Sequence, residues 1–153
     1  MTASVDCVVH DKEGNPTLLM EVKALRNRSE DWARKMRRNL SVHGSLPGAP
    51  FFLLALPDRF FLWTDHSQLD PMARPSHTIN ADPLLAPYFD RADVSAEQAA
   101  GATFELIVWT WLQRILQSPN SDALPEQSRE WLLDTGLFEA LRNGRIEQSG
   151  IPA

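Results

Sequence analysis

Three charged residues near the start of the chain have a spacing that could bind a metal ion. Asp6 is followed by fourteen residues and then by Glu21 and Lys23. Two carboxylates held side by side repel each other, and a cation between them removes that cost. Mg²⁺ binds one or two carboxylates, keeps several waters and uses substrate phosphates as further ligands. A lysine beside the ion could orient or deprotonate a water molecule, or stabilise negative charge that develops at phosphorus.

Two strands joined by a turn would bring these residues together. Residues 5–10 and 17–22 are mainly apolar, and the intervening DKEGNP segment has the composition of a turn. In an antiparallel hairpin, Asp6 can lie beside Glu21. Side-chain alternation places Glu21 and Lys23 on the face of Leu19. Because charged residues are rarely buried without a partner, this pattern indicates either a site or a strand that runs out into water.

These residues resemble the signature of the PD-(D/E)xK nuclease superfamily. The trailing Ala24 and the basic helix that follows are also similar, especially to the nuclease domain of type I restriction motor subunits, and the resemblance covers residues 4–65. It implies an α/β fold with a restriction-endonuclease-like mixed sheet flanked by helices, here with extra C-terminal helices. It also implies catalytic roles for Asp6, Glu21 and Lys23. Asp6, Glu21 and the Val22 carbonyl would hold Mg²⁺ or Mn²⁺.

The sequence departs from the family pattern at two places. Val5 stands where the family often has proline, and only residues 1–5 precede Asp6. Family members usually have a helix and a strand before this position. We therefore expect a fragment, a degenerate member, or a subunit completed by another chain. A free sheet edge at residues 4–9 would accept a strand from a partner subunit or from a second copy.

A basic segment follows the motif. Residues 23–38 contain seven basic residues and two acids, although the whole chain has a net charge of −5. Such a patch suits a phosphate-bearing ligand, although a solvated helix face gives the same composition. Ser29 is a suitable N-cap for a helix over residues 30–42. In the resembled fold this helix packs near the site, so Arg34 or Arg38 would contact phosphate.

The remaining chain is predicted as strands followed by helices. Residues 51–56 and 59–64 read as strands and complete a nuclease-like core over residues 1–65. Residues 66–95 are rich in proline and are predicted to be mostly irregular, with at most a short turn of helix over residues 83–86. A third segment, 96–144, is predicted to be helical, with Ser95 as N-cap of a helix over 96–117 and a last helix broken near Gly136. Residues after 143–144 are expected to be frayed.

Two other sets of residues have weaker claims to chemistry. Asp65, His66, Asp70 and His77 are potential metal ligands, but their spacing matches no known metal-binding pattern. Cys7 neighbours Asp6 in a strand, so it points to the opposite face and is expected to pack in the core. A single cysteine excludes an internal disulfide and a cysteine-rich zinc module.

Three functions fit this sequence. The first is a metal-dependent endonuclease in the cytoplasm that hydrolyses phosphodiester bonds of nucleic acid, with DNA as the expected substrate. The second is a catalytically inactive subunit of the same fold, homo-oligomeric or bound to a partner subunit, that binds protein or nucleic acid. The third is an ordinary α/β domain in which Glu21 and Lys23 form a surface pair. No window has the roughly 18 uninterrupted apolar residues of a membrane span.

Overall fold

The hairpin that carries the three charged residues forms two inner strands of a sheet. The computed structural model of the protein describes residues 5–43 and 46–148. In chain order its strands and helices are β1 Cys7–His10, β2 Pro16–Val22, α1 Glu30–His43, β3 Phe51–Ala55, β4 Arg59–Thr64, β5 His77–Asn80, α2 Asp82–Ala92, α3 Gly101–Leu116, α4 Glu126–Asp134, α5 Leu137–Leu141 and β6 Arg145–Gln148.

The six strands form one mixed sheet in the order β5-β4-β3-β2-β1-β6. β2 and β3 are parallel, because α1 carries the chain back between them, and the other neighbouring pairs are antiparallel. β3 is buried on both faces, as its uninterrupted apolar sequence predicts. The prediction of an α/β fold with a mixed sheet flanked by helices is confirmed.

α1 covers one face of the sheet. Its first turn is capped as predicted, since the Trp32 backbone N–H donates to Ser29 Oγ at 3.1 Å. Ala33 and Leu40 are buried and pack against side chains of β1 to β4. Those side chains are Val8, Leu19, Phe52, Leu54, Phe61 and Trp63.

The other four helices lie on the opposite face. α3 turns a broad apolar side to the core, namely Phe104, Ile107, Val108, Trp111, Leu112 and Ile115. The Trp111 ring meets the Phe60 ring edge-on with centroids 5.1 Å apart. Leu106, on the same helix, is 66% exposed. The chain breaks between α4 and α5 at Gly136, which has φ 80°, as predicted.

The prediction of irregular structure over residues 66–95 is wrong. This segment contains β5, which pairs with β4, and the eleven-residue helix α2. Pro83 lies in the first turn of α2, where a missing N–H has no consequence, and Pro87 lies within the helix. The helix predicted over residues 96–117 begins later, at Gly101. Ser95 does accept the Gln98 backbone N–H, but it caps a separate turn.

The strand β6 overturns two expectations. Residues 145–148 were expected to be frayed, but they form a strand that pairs antiparallel with β1, with Val9 opposite Ile146. The expected free edge at residues 4–9 is therefore occupied along residues 7–10 by the chain's own last strand. A partner subunit is not needed to pair β1, and the edge strands of the described sheet are β5 and β6.

Among the described residues, no helix has both the length and the apolar character needed to cross a membrane.

Candidate active site

The structure brings Asp6 and Glu21 together. β1 and β2 pair with Cys7 opposite Met20, so the same register places Asp6, just before β1, opposite Glu21. The Asp6 backbone N–H donates to Glu21 Oε1 at 3.1 Å, and the Val22 backbone N–H donates to Asp6 Oδ2 at 2.7 Å. Each carboxylate is therefore held by the backbone of the opposite strand.

Lys23 completes the cluster. Its Nζ lies 3.4 Å from Glu21 Oε2, and its side chain is 39% exposed, whereas that of Glu21 is 6% exposed. The Lys23 backbone N–H donates to the Ala55 carbonyl at 3.1 Å, which ties this end of the hairpin to β3. The three charged side chains thus meet at one end of the sheet, and the lysine is more exposed to solvent than Glu21.

The cluster lies on the face of the sheet that α1 covers. Glu21 is two residues from Leu19 and Asp6 is two residues from Val8, and both apolar neighbours belong to the core under α1. Cys7 points to the other face and is buried there, so the prediction that it is a core residue is confirmed. Burial, reinforced by the charges of Asp6 and Glu21, raises the pKa of the Cys7 thiol to about 12.

Glu21 is the most perturbed carboxyl group of the site. Burial, together with the neighbouring charge of Asp6, raises the pKa of Glu21 to about 7, and this rise is opposed by Lys23. Both causes disfavour the charged form of the side chain. A cation at this position would relieve both, because it would compensate for the lost solvation and separate the two acids electrostatically.

The donor set fits Mg²⁺ or Mn²⁺. Successive backbone groups of a strand point to opposite sides, and Lys23 N–H is directed to β3 while Val22 N–H is directed to Asp6. The Val22 carbonyl therefore lies on the same side as the Asp6 carboxylate. The residues that the structure describes contain no group of three or more His, Cys, Asp or Glu that could hold a metal. Two carboxylates and a carbonyl leave room for waters and a phosphate oxygen, as Mg²⁺ prefers.

Of the two arginines predicted to bind phosphate, Arg34 is the better placed. It lines a cavity of about 370 Å³ together with Arg59 and Arg74. Arg34 also forms an ion pair with Asp31, one of two acids in the cavity wall. Arg38 is exposed on α1 and does not line this cavity.

Arg59 is a site residue that the sequence reasoning missed. It alternates with Phe61 and Trp63, which both face α1, so its side chain has the same orientation as Lys23. The pairing of Leu56 N–H with the Arg59 carbonyl puts Lys23 and Arg59 in one row, two strand spacings or about 10 Å apart. The sequence signal that could have identified Arg59 is its position at the start of an aromatic strand, in which every second side chain faces α1.

Three arginine nitrogens in the segment after Lys23 lack hydrogen-bond partners among the described residues. Arg26 Nη1, Arg28 Nε and Arg34 Nε are all buried, and none has a partner among the described residues. These nitrogens belong to one stretch of chain that leads from the end of β2 into α1. Positive groups with unsatisfied donors in the segment that follows a carboxylate pair suit a ligand that carries several phosphates.

The alternative ligands do not assemble into a site. His66 Nδ1 accepts a hydrogen bond from Arg37 Nε at 3.0 Å, so this nitrogen is occupied. Asp70 Oδ1 accepts the Met72 backbone N–H. His77 lies on β5, whereas His66 lies in the turn after β4.

Comparison of this chain with protein-family models, curated protein sequences and solved structures gives no match in any of the three.

Proposed function

We propose that this chain is a metal-dependent phosphodiester hydrolase of the PD-(D/E)xK type that acts on nucleic acid, with DNA as the expected substrate. The observation that carries the proposal is the Glu21 carboxylate, which is 5% exposed and is held against Asp6 and Lys23. Two adjacent carboxyl groups, one of them buried, cost stability when ionised. Because ionisation of both carboxyl groups is costly and the Lys23 side chain is partly exposed, this arrangement supports a role in binding a cation.

Each residue has a distinct role in the proposed reaction. Asp6, Glu21 and the Val22 carbonyl would hold Mg²⁺ or Mn²⁺. When bound, such an ion polarises a phosphoryl oxygen and lowers the pKa of a coordinated water. Lys23 is held by Glu21 close to this position, where its ammonium group orients the attacking water and stabilises the negative charge of the transition state. The two backbone hydrogen bonds keep both carboxylates in place before substrate binds.

The arginines support nucleic acid as the substrate. Arg34, Arg59 and Arg74 line one cavity, and Arg59 lies about 10 Å from Lys23 along the same row of the sheet. A strand whose scissile phosphate lay at Lys23 would present its neighbouring phosphates to this cavity. Arg38 is a weaker candidate for a phosphate contact, because it does not line this cavity.

The first test of the proposal is metal binding, measured by calorimetry with Mn²⁺ and Mg²⁺. We expect the wild type to bind, and the Asp6→Asn/Glu21→Gln double variant to lose binding. Glu13→Gln is the matched control, because Glu13 is an exposed carboxylate in the turn of the same hairpin. Binding that is equal in all three proteins would remove Asp6 and Glu21 from the metal site.

The same preparation separates metal binding from chemistry. Lys23→Gln should still bind Mn²⁺ but should lose cleavage of a DNA substrate by a factor of roughly 10² or more, as expected for removal of a group that acts in the transition state. Cleavage by Lys23→Gln at the wild-type rate would overturn the role assigned to Lys23.

A second candidate is a catalytically inactive subunit of this fold that binds nucleic acid or protein, as a homo-oligomer or with a partner subunit. The observation that favours it is that protein groups already satisfy the carboxylates: Asp6 Oδ2 and Glu21 Oε1 accept backbone N–H groups, and Glu21 Oε2 faces Lys23. Nucleic-acid binding with no metal binding would select this candidate. In either case we propose a cytoplasmic location, where reducing conditions suit the free, buried thiol of Cys7.

A further inference from the structure

Arg37 is a buried arginine that forms no ion pair among the described residues, and the nearby acid whose charge acts on it is Asp70. It lies in the middle of α1 and is 1% exposed. Its Nε donates to His66 Nδ1 at 3.0 Å, its Nη1 donates to the carbonyls of Asp70 and Pro71 at 3.0 and 3.2 Å, and its Nη2 donates to the His66 carbonyl at 3.3 Å. None of the ion pairs among the described residues includes Arg37. The Asp70 carboxylate is directed instead to the Met72 N–H.

A cavity of about 280 Å³ adjoins this guanidinium group. Arg37, Ser41, His66 and Ser67 form its polar wall, and the other lining residues are apolar or glycine. No acidic residue lines the cavity. The polar wall therefore combines one permanent positive charge with groups that can donate hydrogen bonds.

Three donors in this wall have no acceptor among the residues that the structure describes. A guanidinium group has five N–H donors, and the four bonds of Arg37 leave one Nη2 hydrogen without a partner. Burial and the Arg37 charge lower the pKa of His66 to about 4, so the imidazole is neutral; since Nδ1 accepts from Arg37, the proton is on Nε2. Ser41 Oγ is buried and has no hydrogen-bond partner among the described residues.

These observations require an acceptor that also carries negative charge. A buried charge that forms no close ion pair is costly, and neutral carbonyls together with the charge of Asp70 provide only part of the compensation. We propose that the cavity binds a small tetrahedral oxyanion of the inorganic phosphate class, with Arg37 as the charge partner and with the Ser41 hydroxyl and His66 Nε2–H as flanking donors. A tetrahedral anion offers acceptor oxygens in several directions at once, which matches donors that approach from both α1 and the turn after β4.

This site is separate from the carboxylate cluster. The turn that carries His66 and Ser67 donates backbone N–H groups to the carbonyls of Pro50 and Ala49, so the cavity lies at the beginning of β3. Glu21 pairs with Leu54 near the end of the same strand. The anion site is therefore at the opposite end of the sheet, and it does not depend on the proposed hydrolase activity.

The test is calorimetric titration of the full chain with inorganic phosphate at constant ionic strength. EDTA is present throughout, so that no metal can recruit phosphate to Asp6 and Glu21. We expect saturable binding with a Kd of about 1 mM or tighter, with sulfate competing and acetate competing more weakly. Tighter binding of acetate than of phosphate would overturn the tetrahedral class. A parallel titration with adenosine 5′-monophosphate distinguishes the free ion from a phosphate monoester as the natural ligand.

The decisive variant is Ser41→Ala, because a hydroxyl without a partner can be removed without loss of a protein contact. We expect phosphate binding to weaken about tenfold, the effect of deleting one hydrogen bond to a charged group, with the circular dichroism spectrum unchanged. Asn39→Ala is the matched control, since Asn39 is exposed on the same helix and outside the cavity. Undetectable binding in the wild type, or equal affinity in Ser41→Ala and wild type, would overturn the proposal. Arg37→Met serves as a second variant if it folds, and it should abolish binding.

Discussion

At the scale of single residues, two buried titratable groups have opposite effects on stability as pH changes. The pKa of Glu21 is raised from 4.5 to about 7 by burial and the Asp6 charge, so folding takes up a proton between these values and stability falls as pH rises through them. The pKa of His66 is lowered from 6.5 to about 4 by burial and the Arg37 charge. Folding there excludes a proton, so stability falls as pH falls from 6.5 towards 4.

The wild type should therefore show a nearly flat stability profile between about pH 4.5 and 6.5, because the two contributions cancel. Each single variant should reveal the other group. Glu21→Gln should gain stability as pH rises over this interval, whereas His66→Asn should lose stability as pH rises towards 7, by about 3 kcal/mol in each case. Urea unfolding of metal-free protein at a series of pH values measures this. Parallel profiles for the two variants would contradict both assignments.

The site was predictable from sequence to the extent that local pattern fixes it. Asp6, Glu21 and Lys23 could be placed together because two apolar strands joined by a short turn can bring residues 6 and 21 side by side. The exact register includes a shift between Val9 and His10, which the sequence pattern does not specify. Arg59 could not be placed, because its position depends on pairing across β3, which links residues far apart in the chain. Arg37 was inconspicuous for a similar reason: its acceptors come from a turn about thirty residues later.

At the scale of elements, the weakly patterned strands were missed. β1 to β4 have apolar sequences that predict strands directly, whereas β5 reads His-Thr-Ile-Asn and is mostly exposed. β6 is also short and polar, and it exists because β1 provides an unpaired edge. α2 was obscured by two prolines, one of which is harmless in a first helical turn. Tertiary pairing, which the local sequence does not encode, decided β5 and β6.

The approach of β6 to β1 predicts the effect of a glycine substitution. A Cβ atom at Gly144, just before β6, would lie 3.0 Å from the carbonyl oxygens of His10 and Leu141 and from Val9 Cγ1. Two of these three atoms belong to the backbone, so relief of the close contacts requires a small shift between β6 and β1. We expect Gly144→Ala to lower the free energy of unfolding by about 1–3 kcal/mol, the usual cost of overpacking.

Gly101→Ala is the matched control for this substitution. Gly101 is the first residue of α3, and a Cβ there would contact nothing within 4 Å. The unfolding free energy should stay level or rise by up to about 1 kcal/mol, since alanine favours helix and restricts the unfolded chain. Equal denaturation midpoints for the two variants would mean that β6 tolerates displacement from β1.

At the scale of the whole molecule, a net charge of −5 limits where nucleic acid can bind. The acids predominate after residue 65, whereas the basic residues from Lys23 to Arg28 directly follow the end of β2, so DNA should approach over the end of the sheet that carries Lys23. About three phosphate contacts, from Arg34, Arg59 and Arg74, predict a modest salt dependence. The slope of log K against log salt should be roughly −2 to −3.

Substitution of one contact arginine should change that slope. Arg59→Ala should make it shallower by about one unit, the effect of losing one phosphate contact. Arg38→Ala should change it less, since Arg38 lies outside the cavity formed with Arg59. Fluorescence anisotropy with a labelled DNA duplex, in Ca²⁺ or EDTA to prevent cleavage, measures both. A larger effect of Arg38→Ala would assign the phosphate path to the exposed face of α1.

The pairing of β1 with β6 has a consequence for how the protein is made. Residue 7 pairs with residue 148, so β1 is synthesised well before β6, its outer neighbour, with most of the described chain between them. At about 5–20 residues per second, the hairpin waits several seconds or longer with one side unpaired. During that interval the nascent chain offers an open edge to any extended peptide nearby. Assembly of the sheet is therefore a long-range event, and the carboxylate cluster gains its full support only after β6 has been synthesised.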